Sequence, residues 1–343
     1  MTQIHMATRT SLGVVNAVHT RSYRPPMTTI LDRRSVVVAD DGTPLAVREI
    51  GSRAAPVTVV FAHGFCLHMG AWAPQRIRLA HAWSGRARLV FFDHRGHGGS
   101  GEGPVESYTI TQLGHDLDAV IRAMAPQGPL ILVGHSMGGM AVLSYIASHR
   151  ATAEQRLAGL SLIATAAGDI AGSGIGRFLA TPAVPVLRAA AEFAPTLLQR
   201  GWDLTRRLLA PVIGTTCPFP MAQSPVAQAA SMSYDMIHRT PIATLTRLLS
   251  EFKDFDENRA LPLCASIPVS IVCGTHDKVT PILHSHRLAS ALPTAELVEV
   301  PGARHMVELE RPDIVSASLD RLLGRVEASQ PAGFPSPVLS VGA

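Results

Sequence analysis

No concentrated run of basic residues, no long hydrophobic stretch and no cysteine framework stands anywhere in this chain of 343 residues. The 30 basic and 26 acidic side chains nearly cancel to +4. Arg9, Arg21 and Arg24 fall in the first 31 residues, which carry no acid, so the remainder is close to balanced. A phosphate-binding face needs a basic stripe, and nucleic acid is therefore excluded as a partner. No segment approaches the roughly 18 uninterrupted apolar residues of a membrane span. The N-terminal stretch lacks the apolar run of about 7–15 residues that marks a secretory signal. Four cysteines (Cys66, Cys217, Cys264, Cys273) form no C-x-x-C pair, as expected of a chain kept in a reducing cytoplasm. No internal repeat is present.

What remains is ample for a large buried core. Strand-like runs alternate with helical stripes, the pattern of a mostly parallel sheet covered on both faces. Thr109-Ile110-Thr111-Gln112 resembles a capping box, followed by Ile110, Leu113, Leu117, Val120, Ile121 and Met124 on one helical face. Ile314, Val315, Leu319, Leu322 and Leu323 form a second stripe, with Gly324 as its expected stop. Between about residues 168 and 260 the alternation ceases and helical material rich in Ala, Leu, Val and Pro takes over. The expected organisation is a flexible extension over 1–30, a core over 31–167 and 256–326, a helical cap over 168–255, and a Pro-rich disordered tail over 327–343.

The most informative segment is Gly134-His135-Ser136-Met137-Gly138, which follows the apolar run Pro129–Val133 and opens the helix-like stretch from Met140. This is G-x-S-x-G in a strand–turn–helix setting. A serine hydroxyl becomes nucleophilic only when it is exposed, oriented and relieved of its proton. A sharp turn exposes Ser136, and small flanking residues let the backbone bend that tightly. Such an elbow requires an acid and then a histidine, in that order. Asp277 follows the strand-like Ile267–Cys273, ahead of Thr280 as an expected N-cap and Pro281 at the first helical position. His305 follows the strand-like Glu296–Val300. Histidine titrates near neutrality and can take and return the serine proton, while an ionised aspartate holds its far ring nitrogen. Asp169, after the strand-like Leu160–Ala164, competes for the acid role; Asp277 is favoured because its loop pairs with the strand before His305. Val57–Ala62 runs into His63-Gly64-Phe65-Cys66, and the amides of Phe65 and Met137 are the expected oxyanion-hole donors. His63 with His68 or Cys66 would be a metal site only with paired spacing, which is lacking, so no metal and no cofactor are expected.

These segments, with Asp93-His94-Arg95-Gly96-His97-Gly98-Gly99-Ser100, resemble the α/β-hydrolase superfamily on its serine esterase and lipase side, in family order from about residue 35 to 325. The resemblance implies an α/β-hydrolase fold with Ser136, Asp277 and His305 as triad and Phe65 and Met137 as oxyanion hole. It also implies a structural role for Arg95 and a cap over the site after the sixth strand. Serine stands where epoxide hydrolases and dehalogenases carry aspartate, and Cys66 follows H-G-F where many of them have proline. Both departures point to acyl transfer. Cap residues Phe178, Leu179, Phe193, Leu197, Leu198, Trp202, Leu208, Leu209, Met221, Met232 and Met236 favour an apolar substrate collectively, with no single pocket residue singled out.

The expected activity is hydrolysis of small carboxylic esters with an apolar acyl part through an acyl-enzyme. The same triad would serve a thioesterase, a C–C bond hydrolase or a perhydrolase, and a ligand receptor with a silent triad is the reading from another class. Weak peripheral membrane contact is left open, and oligomeric state is not legible.

Overall fold

The computed structural model of the chain describes residues 31–172, 174–215 and 225–329. The expected N-terminal extension and most of the tail lie outside the described residues, as do Cys217, Met221 and the side chains of Leu208 and Leu209.

Eight strands form one sheet in the order β1-β2-β4-β3-β5-β6-β7-β8. They are β1 Asp32–Val38, β2 Pro44–Ile50, β3 Val57–Ala62, β4 Ala87–Phe92, β5 Leu130–His135, β6 Leu157–Ile163, β7 Val269–Gly274 and β8 Ala295–Val300. β2 is antiparallel to both β1 and β4, and every pairing from β4 through β8 is parallel. Strands β3, β4, β5 and β7 are buried along their whole length, which explains their unbroken apolar sequences.

The helices are α1 Ala73–Ala82, α2 Ile110–Met124, α3 Met137–Ser148, α4 Arg150–Arg156, α5 Ala183–Phe193, α6 Pro195–Thr215, α7 Pro225–Arg239, α8 Ile242–Glu251, α9 Ile282–Ala291, α10 Val307–Glu310 and α11 Pro312–Ser329. Alternate side chains of each central strand face opposite layers. Val59, Phe61, Leu89, Phe91 and Val133 pack under α1 and α11 through Leu79, Leu319, Leu322 and Leu323. Val60, Val90, Leu132 and Leu162 pack on the other side under α2, α3 and α9, through Leu117, Ile121, Val142, Leu143 and Leu288. Two cores thus clamp one sheet.

Three local expectations change. Thr109 caps α2 by accepting from the Gln112 amide, but the Gln112 side chain reaches Asp40 at 3.0 Å instead of returning to the cap, so only half the capping box forms. Thr280 does not cap α9, because its hydroxyl bonds Asp277 and the Ala164 carbonyl and Pro281 takes the cap position. Gly324 does not end its helix: α11 continues to Ser329, into the expected tail, because Val326 is wholly buried and extends the core stripe by another turn.

The insertion between β6 and β7 contains no strand among its described residues; it carries short 3-10 turns and α5 to α8. Its base is pinned by a bridge between Gly168 and Asp256 and by the Glu257 amide donating to Ala167 O at 2.7 Å. The loops after β3, β5, β7 and β8 all leave the carboxyl edge of the parallel strands, the edge at which ligands bind in sheets of this kind.

Candidate active site

β5 ends at His135, and the chain turns into α3 through Ser136 at φ 52°, ψ −121°. A left-handed φ is costly for a residue with a β-carbon, of order 1–3 kcal/mol, and persists only where the surroundings enforce it. Here the Ser136 amide donates to Ile163 O at 2.9 Å, and Ser136 O accepts from the Gly139 amide and the Thr165 hydroxyl. Gly138 leaves no alternative at its position, since a β-carbon there would stand 2.2 Å from Ala62 O. The elbow therefore follows from a small residue that lets α3 approach β3 and from bonds that hold the strained serine.

Ser136 Oγ lies 2.9 Å from His305 Nε2, and His305 Nδ1 lies 2.8 Å from Asp277 Oδ2. Residues separated by more than 160 positions in sequence (136 and 305) meet because β5, β7 and β8 end on one edge. Burial pushes the Asp277 carboxyl up, but the hydrogen bond and charge of His305 and the amides of Val279 and Thr280 outweigh it, so Asp277 is held below the ordinary carboxylate range. Asp169 is not part of this arrangement. It sits on the surface, where Arg287 Nη1 pairs with it at 2.6 Å.

Phe65, in the loop after β3, lines the same cavity as Ser136, and Met137, next to the serine in sequence, is the first residue of α3. Neither main-chain amide donates to a protein acceptor among the described residues. The loop after β3 is braced from below. The Cys66 amide donates to His97 Nε2 at 3.2 Å, the Met69 amide to Asp93 at 2.6 Å, and the His94 amide to His63 Nε2 at 3.0 Å. His63 donates its other ring proton to Gly64 O, so both ring nitrogens are engaged by the backbone and not offered to a metal. Burial pushes His63 and His97 down to about 3, which keeps both rings neutral and able to accept. Arg95 is wholly buried and forks onto Asp116 while also bonding Asp41, a structural tie between the loop after β4 and α2.

Above the serine is a cavity of about 300 Å³ with apolar walls. Ser136 and His305 stand at its base, with Phe65, Met140, Ile170, Phe178, Leu179, Leu245, Leu249 and Phe252 around it. Phe65 meets Phe252 edge-on with ring centroids 5.1 Å apart, which joins the loop after β3 to the segment following α8. Of the apolar insertion residues named from sequence, Phe178 and Leu179 line the cavity, whereas Phe193 and Leu197 point to solvent with 90% and 73% exposure. Three polar side chains at the site escaped sequence reasoning. Thr165 holds the Ser136 carbonyl, Thr280 donates to Asp277, and the His135 ring lies beneath His305. Only tertiary contacts reveal these roles; Thr280, two positions before α9, reads in sequence only as a helix cap.

Residues 57–312 match the family model described as alpha/beta hydrolase fold. A monoacylglycerol lipase of Mycolicibacterium smegmatis is 28% identical over 256 residues, covering 73% of this chain and 81% of that protein. A pimeloyl-[acyl-carrier protein] methyl ester esterase of Xanthomonas oryzae is 28% identical over 270 residues, covering 78% of this chain and 95% of that protein. Among solved structures, the enol-lactonase of Burkholderia xenovorans superposes with a TM-score of 0.64 at 26% identity, covering 84% of this chain and 100% of that one. Sheet order, elbow and family match agree: this chain belongs to the α/β-hydrolase fold family.

Proposed function

We propose that this protein hydrolyses carboxylic esters with an apolar acyl part, through an acyl-enzyme on Ser136. The observation that carries the reading is the Ser136–His305–Asp277 hydrogen-bonded line, with steps of 2.9 and 2.8 Å, at the base of an apolar cavity. His305 Nε2 takes the Ser136 proton as Oγ attacks the ester carbonyl, while Asp277 holds Nδ1–H and stabilises the imidazolium. The tetrahedral oxyanion accepts from the amides of Phe65 and Met137; a donor of this kind contributes about 3 kcal/mol to the transition state. His305 then protonates the leaving alcohol, and the same ring activates the water that releases the acid. The similar lipase, methyl ester esterase and enol-lactonase are each named for an ester-type substrate, which supports the choice of bond.

A fluorophosphonate probe tests the nucleophile, and a p-nitrophenyl ester panel of graded acyl length tests the substrate class. Labelling of Ser136 with turnover that rises with acyl length is expected. Folded protein that neither labels nor turns over any ester would favour a ligand receptor. Labelling together with preference for thioesters or β-diketones over oxygen esters would move the reading to the corresponding hydrolase.

A further inference from the structure

The residue preceding the nucleophile is not idle. His135 is 1% exposed, and its Nε2 lies 2.9 Å from the main-chain carbonyl of His305, so Nε2 carries the proton and donates. Glu308, at the second position of α10, is wholly buried, and its Oε2 stands 3.4 Å from the same ring nitrogen. One N–H thus faces two acceptors. Neither Glu308 oxygen has a hydrogen-bond partner among the described residues, and His135 Nδ1 has none either. Gln75 Nε2 donates to the main-chain carbonyl of Glu308 at 2.8 Å, which anchors the backbone that carries the carboxyl.

We propose that His135 and Glu308 form a buried latch that positions His305, His135 holding the His305 carbonyl and Glu308 competing for the same N–H. This rests on His305 being the general base. A carboxylic acid is a weak acceptor and leaves the His135 N–H donating to the His305 carbonyl, whereas a carboxylate is a strong one and draws that N–H away. The carbonyl and ring of His305 belong to one residue, so release of the main chain shifts Nε2 relative to Ser136 Oγ. Misplacement by about 1 Å at a reacting group costs on the order of a hundredfold in rate.

The surroundings favour the latched form. Burial pushes Glu308 up to about 8 against the opposing pull of its own main-chain amide, and the charges of Glu310 on the same helix and Asp277 on the loop after β7 add to the rise. Burial, and then the nearby His305, push His135 down to about 3. The charges on neighbouring elements are occupied elsewhere. On α7, Asp235 pairs with Arg239, and His238 stacks on Trp202. Between α1 and α11, Arg78 pairs with Asp320, while Arg86 pairs with Glu327 of α11. Also on α11, Arg321 pairs with Glu296 and Arg325 bonds the carbonyls of Val269 and Thr294; Asp313 faces Arg311. Arg76 of α1 lies beside Arg48 and Asp32, and Cys273 of β7 is buried with its thiol pushed up.

The test uses kcat and KM for a p-nitrophenyl ester from pH 5 to 9, on variants whose near-UV circular dichroism matches wild type. His135→Phe removes the donor and is expected to lower kcat by about ten- to a hundredfold with KM moved less than about threefold. His135→Gln restores an N–H of similar reach and should recover most of that loss. In wild type kcat should decline above about pH 8, and in Glu308→Gln the ratio of kcat at pH 9 to pH 7 should be flat. His135→Phe with wild-type kcat, His135→Gln no better than His135→Phe, or a Glu308→Gln profile parallel to wild type would each overturn the latch. Should His135→Phe not fold, the Glu308→Gln profile decides alone. Wild-type protein that is inert to every ester and to fluorophosphonate removes the triad reading and the latch with it; an active wild type with unaffected variants removes the latch only.

Discussion

Replacing Glu308 by glutamine should change how stability depends on pH, independently of any effect on catalysis. The carboxyl has an ordinary value of 4.5 and is pushed up to about 8 in the fold, chiefly by burial. Between these values the folded chain keeps a proton that the unfolded chain releases. The stabilising contribution is therefore complete below about pH 4.5 and lost as pH rises through about 8. Each pH unit in that window is worth about 1.4 kcal/mol, so the carboxyl alone should remove about 4 kcal/mol of stability between pH 5 and pH 8. Glutamine has nearly the same shape and no proton to lose. Urea unfolding followed by tryptophan fluorescence, at pH 5, 6, 7 and 8 on both proteins, isolates the term, because all other titrations are shared. Glu308→Gln should gain on wild type steadily across the window, with equal m-values. A difference between the two proteins that stays constant within about 0.5 kcal/mol would show that the buried carboxyl is ionised or hydrated in the fold, and the reasoning would fail.

Other consequences can be checked more quickly. Ser136→Ala, His305→Ala and Asp277→Asn should each lower kcat by at least about a thousandfold while leaving thermal unfolding cooperative, since triad members act as a unit; near-normal turnover in Asp277→Asn with loss in Asp169→Asn would reassign the acid. His63, His97 and His135 are pushed down to about 3, so the unfolded chain binds more protons below about pH 6.5 and stability should fall as pH drops from there toward 3. A plateau in urea-derived stability from pH 6.5 to 4 would contradict that burial. Leu245→Trp or Leu249→Trp, at the cavity wall, should shorten the preferred acyl chain. Each methylene that no longer enters should cost about 0.8 kcal/mol, roughly fourfold in kcat/KM. Unaltered chain-length selectivity in both variants would place the acyl group elsewhere.

Much of the candidate site was legible because the residues it needs are tied to local backbone rules. Only glycine permits the approach of Gly138 to Ala62, and only a turn between an apolar strand and a helix exposes Ser136, so both leave a contiguous trace. The fully buried strands left a comparable trace as unbroken apolar runs, and their chain order sets acid before histidine. Side-chain partners chosen across the fold leave no such pattern. Thr280 has the composition of an N-cap, yet Asp277 lies within 2.9 Å of its hydroxyl and takes the bond. Gly324 has the composition of a stop, yet the buried Val326 beyond it extends the core stripe and the helix continues. Which insertion side chains face the cavity was equally hidden, because Phe178 and Phe193 are alike in sequence and opposite in environment. The sequence by itself determined the alternation of strands and helices, the elbow and the identities of Ser136, Asp277 and His305 as candidates. Tertiary structure alone decided their distances, the walls of the cavity and the meeting of His135, Glu308 and His305, because those depend on packing between residues far apart in the chain.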